Sequence, residues 1–170
     1  HIWPRDLAQI GIRSYESEEI DLYGKHPNYP HWNGRPLVNF YTFMEWSPEE
    51  LAEIRSRLKK LGYDIFIIGN IGSSYEKPDI AHFRKWLPAL DMIYTFGLGE
   101  IDGTSMESKT PLYRRMADEA GKKLMMPVYP GYYGAWLNGR NDFYQVHDGL
   151  DNAHRTWLCA MEARPQWLHY

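Results

Sequence analysis

The sequence predicts an α/β protein built from parallel (β/α) repeats. Short, continuous apolar runs alternate with longer segments of helical periodicity along most of the chain, as is typical of a parallel sheet with crossover helices. Two architectures fit this order, a stretch of a (β/α)₈ barrel and an open doubly wound sheet. No Gly-x-Gly-x-x-Gly follows the first strand and no Gly-Lys-Ser/Thr follows any strand, which argues against a nucleotide-binding protein.

The first part of the chain predicts a lead-in followed by one strand. Residues 1–34 are poor in periodicity and are predicted to be mostly loop, with one short helix near residues 17–22. Asn33-Gly34 is a strong turn signal. The apolar run over residues 35–43 is the first predicted strand.

The next segment carries the full set of signals for a helix start. Ser47 is suited to the N-cap, Pro48 to the first helical position, and Glu50 to the third position after the cap. Gly62 is expected to end the helix. The predicted buried face consists of Leu51, Ile54, Leu58 and Leu61.

The remaining elements continue the alternation and make one partial barrel domain of residues 1–170. Strands and helices are predicted in the order strand 63–70, helix 78–90, strand 91–96, helix 110–120 opened by Thr110-Pro111, strand 124–129, helix 150–164 and strand 167–170. A long aromatic loop is expected between the strand that begins at Leu124 and the helix that begins at Leu150.

Composition excludes several classes of partner. The 170 residues include 19 Lys plus Arg and 22 Asp plus Glu, for a net charge of −3. Because no basic stripe is present, neither nucleic acid nor an anionic membrane is an expected partner. Aromatic residues make up 15% of the chain, with 7 Trp and 13 Tyr, and this abundance favours a carbohydrate-active protein.

Cysteine and histidine usage argues against a metal site. The single cysteine, Cys159, lies in an apolar helical pattern and is expected to be buried and inert. The seven histidines lack His-x-x-x-His or His-Glu-x-x-His spacing. We therefore expect no metal site. No run reaches membrane-spanning length, and no signal peptide is recognisable, so the cellular location stays open.

The predicted strand ends supply the candidate site. Ligands of both candidate architectures bind at the carboxyl ends of the strands. Carboxylates, amides and aromatic rings follow four successive strands, and these groups suit a sugar, whose C–H faces stack on rings and whose hydroxyls need hydrogen bonds. The candidate substrate-binding residues are Glu45, Asn70, Glu100, Asp102, Tyr129, Tyr132, Tyr133, Trp136, His147 and Asp148.

Each candidate also has a structural explanation. Glu45 is suited to a helix cap or a solvated position, Asn70 to a turn between glycine-containing stretches, and Glu100 and Asp102 to a solvated glycine-rich turn. His147 and Asp148 form an acceptable acid–base pair but are equally suited to cap the helix that follows. The aromatic residues after the fourth strand are as compatible with closing the core under a loop as with binding a ligand.

One segment resembles a known family. Lys122 to Tyr133 reads Lys-Lys-Leu-Met-Met-Pro-Val-Tyr-Pro-Gly-Tyr-Tyr, and it precedes Asn141–Asp148 and a helix with Arg155-Thr-Trp157. This pattern resembles glycoside hydrolase family 71, the endo-α-1,3-glucanases, and the related family 99 of endo-α-mannosidases and mannanases. The lead-in over residues 28–41 is similar as well. Residues 121–148 are the specific part of the resemblance.

The resemblance implies that the chain is the C-terminal half of a (β/α)₈ barrel. It further implies an endo-acting hydrolase of α-linked glucan or mannan that needs no cofactor, with a function that favours an extracellular or periplasmic location. The catalytic Asp-x-x-Glu pair of the family would lie beyond Tyr170, so no catalytic residue is assigned and the chain alone is expected to be inactive. Expected partners are a polysaccharide or oligosaccharide and the missing remainder of the barrel or a second copy. The alternatives are a non-catalytic glycan-binding or scaffold domain and an unrelated α/β enzyme.

Overall fold

The computed structural model describes seven stretches of the chain in two compact units. The described residues are 24–40, 46–73, 83–96, 104–128, 132–133, 144–145 and 150–169. The first unit comprises His1–Gly69 and Arg84–Asp91, and the second comprises Asn70–Phe83 and Met92–Tyr170. The boundary between the units therefore falls inside one strand, after Gly69.

The described elements include the five predicted strands and three of the predicted helices, together with three short strands that the sequence did not predict. The strands are β1 (His31–Trp32), β2 (Arg35–Phe40), β3 (Phe66–Ser73), β4 (Met92–Phe96), β5 (Lys123–Pro127), β6 (Tyr132–Tyr133), β7 (Tyr144–Gln145) and β8 (Trp167–His169). The helices are α1 (Pro48–Lys60), α2 (Thr104–Ala120) and α3 (Leu150–Glu162), with a short 3-10 helix at Leu87–Ala89. No helix of the described residues has the length and apolar character needed to cross a membrane.

The first unit begins with a tight hairpin. Asn33 and Gly34 have φ of 49° and 78° and connect β1 to β2, which pair antiparallel with Trp32 opposite Arg35. Positive φ at both central residues is what a two-residue hairpin turn requires, and asparagine followed by glycine tolerates it best. The predicted turn is confirmed. β2 then pairs in parallel with β3.

Helix α1 begins where its sequence signals predict. The hydroxyl of Ser47 accepts a hydrogen bond from the backbone N–H of Glu50 (3.1 Å), and the Glu50 carboxylate accepts one from the backbone N–H of Ser47 (2.7 Å). This reciprocal pair satisfies two N–H groups that the first turn of a helix leaves without partners. The buried residues of the helix are Leu51, Ile54 and Leu58.

Removing the cap should cost a measurable part of the stability. We expect Ser47→Ala to lower the free energy of unfolding by about 1 kcal/mol, since one N–H loses its acceptor. Ser56→Ala is the matched control. Ser56 is exposed in the middle of α1, and alanine is the better helix former there. Urea unfolding followed by circular dichroism measures both, and equal midpoints for the two variants would contradict the role of the cap.

The prediction of a buried face on α1 is wrong at its last residue, Leu61. Leu61 was expected to be buried, but 61% of its surface is exposed. The helix ends at Lys60, and Gly62 adopts a φ of 91°. The chain therefore turns away at Leu61, so that helical spacing no longer decides which side this residue faces.

Strand β3 begins at Phe66, three residues later than predicted. The carbonyl of Ile65 accepts hydrogen bonds from the guanidinium groups of Arg35 and Arg55. Because side chains bind this carbonyl, it does not take part in the ladder of the sheet. Strand pairing starts one residue later, with Phe66 opposite Leu37.

The described part of the predicted helix over residues 78–90 is irregular. Residues 84–86 form a turn, and Leu87–Ala89 form the 3-10 helix. Pro88 has no N–H to continue an α-helical ladder. The indole of Trp86, which is buried, donates a hydrogen bond of 2.8 Å to the carbonyl of Trp46. The helix prediction is therefore wrong over residues 84–90.

An ion-pair cluster holds the amino ends of the strands in the first unit. Arg35 binds both carboxylate oxygens of Asp91 at 3.2 Å, and Arg55 binds Oδ2 at 2.7 Å. The backbone N–H of Ile67 donates to the same oxygen at 2.8 Å. Burial raises the pKa of Asp91, but the Ile67 N–H and the two guanidinium groups outweigh it, so that the pKa lies below its usual range.

The second unit contains parallel strands joined by helices. β4 pairs in parallel with β5, and β5 pairs in parallel with β8. Gln166, directly before β8, stabilises this pairing because it forms hydrogen bonds with both the carbonyl and the N–H of Leu124. Its N–H donates to the carbonyl of Leu124 at 2.9 Å, and its side-chain oxygen accepts from the N–H of Leu124 at 2.8 Å. The expected parallel pairing is thus confirmed for these strands.

Helix α2 starts six residues earlier than predicted. Thr110 and Pro111 were expected to open it, but the helix begins at Thr104 and includes Pro111. Pro111 does not mark the start of the helix, because the buried residues of α2 begin before it and continue after it. The stripe consists of Met106, Thr110, Tyr113, Met116 and Ala117, which are spaced as one helical face. Burial of these side chains stabilises the helix although Pro111 has no backbone N–H to donate.

Helix α3 covers the predicted helix with its end two residues earlier. Cys159 lies on its buried face with 7% of its surface exposed, which confirms the expected burial. Burial and the carboxylates of Glu107 and Glu162 raise the pKa of its thiol. A thiol with a raised pKa is a poor nucleophile at neutral pH.

Candidate functional site

The parallel registers bring strand ends to a common edge. In the second unit Tyr94 of β4 lies opposite Met125 of β5, which in turn lies opposite Trp167 of β8. The carboxyl ends of these three strands therefore lie on the same side of the sheet. In the first unit β2 and β3 likewise run in the same direction, with Phe40 opposite Gly69. Parallel strand ends are where ligands of such folds bind.

Two polar side chains of the second unit are buried within strands. Asn70 in the second half of β3 is 7% exposed, and Thr95, one residue before the end of β4, is 0% exposed. Buried polar groups need hydrogen-bond partners. Among the described residues the Thr95 hydroxyl has none. Asn70 and Thr95 therefore place a buried amide and a buried hydroxyl in strands that are mostly apolar.

Asn70 lies inside a strand, and not after it as was predicted. It was expected directly after the second strand, but β3 continues through it to Ser73. The apolar run ends at Ile68, yet the chain remains extended because Ile71 is fully buried on the other side of Asn70. Thr95 was not predicted as a site residue. A threonine near the end of an apolar run is its only sequence signal.

The long loop after β5 contains a small antiparallel ribbon that the sequence did not predict. β6 pairs with β7, with Tyr132 opposite Gln145 and Tyr133 opposite Tyr144. Residues that pair across strands share a face, and consecutive residues of one strand alternate between faces. Tyr132 and Tyr133 therefore belong to opposite faces of the ribbon. Tyr133 shares its face with Tyr144, which was not among the predicted site residues.

Seven of the ten predicted site residues lie outside the described part of the chain. They are Glu45, Glu100, Asp102, Tyr129, Trp136, His147 and Asp148. For Asn70 the structure gives position and burial, and for Tyr132 and Tyr133 it gives the strand and the register.

The described residues supply neutral polar groups to the strand ends. The described groups with a clearly shifted pKa are Glu53, Asp91, Tyr113 and Cys159. None of these four lies in the carboxyl-terminal half of a strand. Within the same stretches no cluster of three or more His, Cys, Asp or Glu side chains is arranged to hold a metal ion. Among the described residues, the buried polar side chains of these strands are thus the neutral ones of Asn70 and Thr95.

Comparison with known proteins identifies the fold. No family model and no curated protein sequence matches the chain. A solved structure of the GH99 endo-alpha-mannosidase from Bacteroides thetaiotaomicron matches with a TM-score of 0.70 and 21% identity, over 88% of this chain and 45% of that chain. At this identity the match shows a shared fold.

Two further structures agree. The same endo-alpha-mannosidase in complex with bis-tris-propane matches with a TM-score of 0.70 and 18% identity, over 88% of this chain and 47% of that chain. A glycoside hydrolase-like protein matches with a TM-score of 0.65 and 14% identity, over 93% and 52%. The chain spans about half the length of these proteins. This likeness supports a partial α/β barrel and agrees with the resemblance to family 99.

Proposed function

We propose that this chain forms the glycan-binding part of an endo-acting glycoside hydrolase that cleaves α-linked mannan or glucan. The observation that carries the proposal is the shared fold with GH99 endo-alpha-mannosidase over 88% of the chain. The parallel strand ends, the buried Asn70 and Thr95, and the tyrosine-rich ribbon support it, because they supply hydrogen bonds and aromatic surface where ligands of this fold class bind.

In the proposed reaction, different residues bind the sugar and cleave the glycosidic bond. Glycoside hydrolysis uses two carboxyl groups, which are roughly 5–5.5 Å apart in retaining enzymes and roughly 6.5–9.5 Å apart in inverting ones. By the resemblance to family 71, this pair would follow Tyr170, and the chain would be the C-terminal half of the barrel up to that point. The predicted site residues would hold the sugar beside the bond that is cut.

The choice between mannan and glucan rests on two different arguments. The likeness to the solved structure of a GH99 endo-alpha-mannosidase favours α-mannan. The sequence resemblance to family 71 favours α-1,3-glucan. Both substrates are α-linked chains whose sugar rings can stack on tyrosine and whose hydroxyls can bind amides.

A hydrolysis screen tests the proposed reaction. Protein that includes the carboxylate pair expected after Tyr170 is incubated with α-mannan, α-1,3-glucan, small esters and phosphate monoesters, and the products are separated by chromatography. Release of oligosaccharides from either α-linked polymer, with the esters and phosphates left intact, is the expected result for a protein that carries the carboxylate pair. Cleavage of esters or phosphates alone would instead indicate an unrelated α/β enzyme.

Removing aromatic surface from the loop after β5 should weaken glycan binding. We expect Tyr132→Ala and Trp136→Ala each to lose about 1–3 kcal/mol of binding free energy, which is the scale of a lost aromatic platform. Isothermal titration with α-linked manno- and gluco-oligosaccharides measures the loss. Tyr132→Phe is the matched control, since it keeps the ring and should lose far less. Unchanged binding in both alanine variants would contradict this placement of the site.

The ribbon register refines this prediction. Because Tyr133 and Tyr144 share a face, alanine at either position should have similar effects on binding.

A further inference from the structure

Both ring nitrogens of His31 lie against backbone carbonyls. Nδ1 is 2.6 Å from the carbonyl oxygen of Tyr29, and Nε2 is 2.7 Å from the carbonyl oxygen of Gly24. A carbonyl oxygen only accepts hydrogen bonds, so each of these contacts needs an N–H on the ring. Neutral imidazole has one N–H, whereas imidazolium has two. The two hydrogen bonds therefore form together only when His31 is protonated.

A neutral His31 ring would keep only one of these hydrogen bonds. Its other nitrogen would direct a lone pair at a carbonyl oxygen, and two electron-rich atoms at this separation repel each other. Both distances are also shorter than the roughly 2.9–3.0 Å that is most common for N–H···O hydrogen bonds, as is typical when the donor is charged. The geometry around the ring therefore fits imidazolium.

These two hydrogen bonds close the loop of residues 24–31, which we call the His31 loop. Gly24 lies seven positions before His31, so the bond to its carbonyl connects the two ends of the loop. The bond to the carbonyl of Tyr29 holds the residue that attaches the loop to β2, since the Tyr29 hydroxyl donates to the carbonyl of Leu37 at 2.7 Å. The rings of Tyr29 and His31 also pack edge to face, with centroids 5.8 Å apart. The attachment of the loop to β2 therefore depends on the imidazole.

The charged groups next to the His31 loop do not pair with the imidazole. The titratable groups in the loop, in the β1–β2 hairpin and directly before β3 are Lys25, His26, Tyr29, Arg35, Tyr63 and Asp64. The ammonium group of Lys25 lies 4.9 Å from the centroid of the Tyr63 ring. Arg35 pairs with Asp64 at 3.4 Å. Within the described stretches no carboxylate forms an ion pair with His31, so the two carbonyls are the groups that favour its charged form.

We propose that the His31 loop is a pH-dependent element of the fold, closed on β2 when His31 is protonated and released when the ring is neutral. The closed loop offers imidazolium two acceptors that the open loop lacks, so closing the loop is linked to binding a proton. This stabilisation is present in acid and is lost as the pH rises through about pH 5–8, the range in which imidazole loses its charge. Asp91 has the opposite dependence, because its lowered pKa makes its contribution disappear as the pH falls.

The pH dependence of the His31→Gln variant tests the proposal. Glutamine can donate to one carbonyl but carries no charge. We expect the variant to raise the unfolding equilibrium constant by a factor at least about tenfold larger at about pH 5.5 than at about pH 8.5, the scale of one charge-assisted hydrogen bond. Urea unfolding at both pH values measures this factor. His26→Gln is the matched control, because His26 is exposed in the same loop and its Nδ1 accepts a hydrogen bond from the N–H of Asn28, which needs an unprotonated nitrogen.

Nuclear magnetic resonance of the unmodified protein gives a second readout that needs no variant. The nitrogen-15 shifts of the imidazole report its protonation, and the amide of Lys25 reports on the carbonyl of Gly24, with which it shares a peptide group. We expect the Lys25 amide signal to move in the same titration step as the His31 ring. A Lys25 signal that stays constant while His31 loses its proton would overturn the proposal, as would equal effects of His31→Gln at both pH values or the same acid-dependent loss in His26→Gln. None of these readouts depends on glycan binding.

Discussion

Replacing Phe66 by alanine should lower the free energy of unfolding by about 3–5 kcal/mol. Phe66 opens β3 and is 2% exposed. The ring of Trp32 stacks on it with centroids 5.6 Å apart, and the guanidinium of Arg35 lies 5.2 Å from its centroid. Truncation would remove a buried ring and leave a cavity where the hairpin meets the parallel strands.

Phe66→Leu is the matched control for this variant. Leucine keeps most of the apolar volume and should cost less than about 2 kcal/mol, although it loses the stacking contacts. Urea unfolding monitored by circular dichroism and by tryptophan fluorescence gives both values. An alanine variant within about 1 kcal/mol of the unmodified protein would show that the ring is not part of a tightly packed core.

Replacing Asp91 by alanine should cost about 2–3 kcal/mol at neutral pH. The change leaves Arg35 and Arg55 without their shared carboxylate and the N–H of Ile67 without its acceptor. We expect less than for a fully buried pair, because 21% of the Asp91 side chain and about a quarter of each arginine side chain remain exposed.

The effect of Asp91→Ala should depend on pH. The pKa of Asp91 lies below its value in an unfolded chain, about 3.9, so the unfolded state takes up a proton first as the pH falls. The stabilisation is therefore fully present above about pH 4, and it is lost as the pH falls through the lowered folded pKa. The difference between the unmodified protein and the variant should be constant near neutrality and shrink in acid.

Two further variants control the Asp91 experiment. Asp64→Asn removes a more exposed carboxylate, which lies 3.4 Å from Nε of Arg35, and should cost less than about 1 kcal/mol. Glu53→Gln breaks a solvent-exposed pair with Arg57 and should leave stability unchanged. A loss in the Asp64 variant as large as that of Asp91→Ala would contradict the central position of Asp91 in the cluster.

Local signals were sufficient for the elements that local chemistry decides. The turn at Asn33-Gly34 follows from backbone freedom, and the start of α1 follows from the reciprocal bonds of Ser47 and Glu50. The predicted start of α2 at Pro111 was wrong, because burial of a longer helix face overrides the preference of proline for the first turn of a helix. The predicted burial of Leu61 was wrong because α1 ends at Lys60.

The candidate site depends more on pairing between distant segments. That Tyr133 shares a face with Tyr144, eleven positions further on, follows only from the register of β6 and β7. The burial of Thr95 likewise depends on what packs against β4. The parallel direction of the strands was predictable, since alternating strands and helices impose it. The roles of Glu45, Glu100 and Asp102 stay predictions, because these residues lie outside the described part of the chain.

The most direct test of glycan recognition is a calorimetric titration of the protein with oligosaccharides of opposite anomeric linkage. Saturable binding of an α-linked manno- or gluco-oligosaccharide, at least tenfold tighter than binding of a β-1,4-linked oligosaccharide of equal length, is the predicted result. Equal affinity for α- and β-linked chains, or no heat of binding with either α-linked ligand at millimolar concentration, would contradict it.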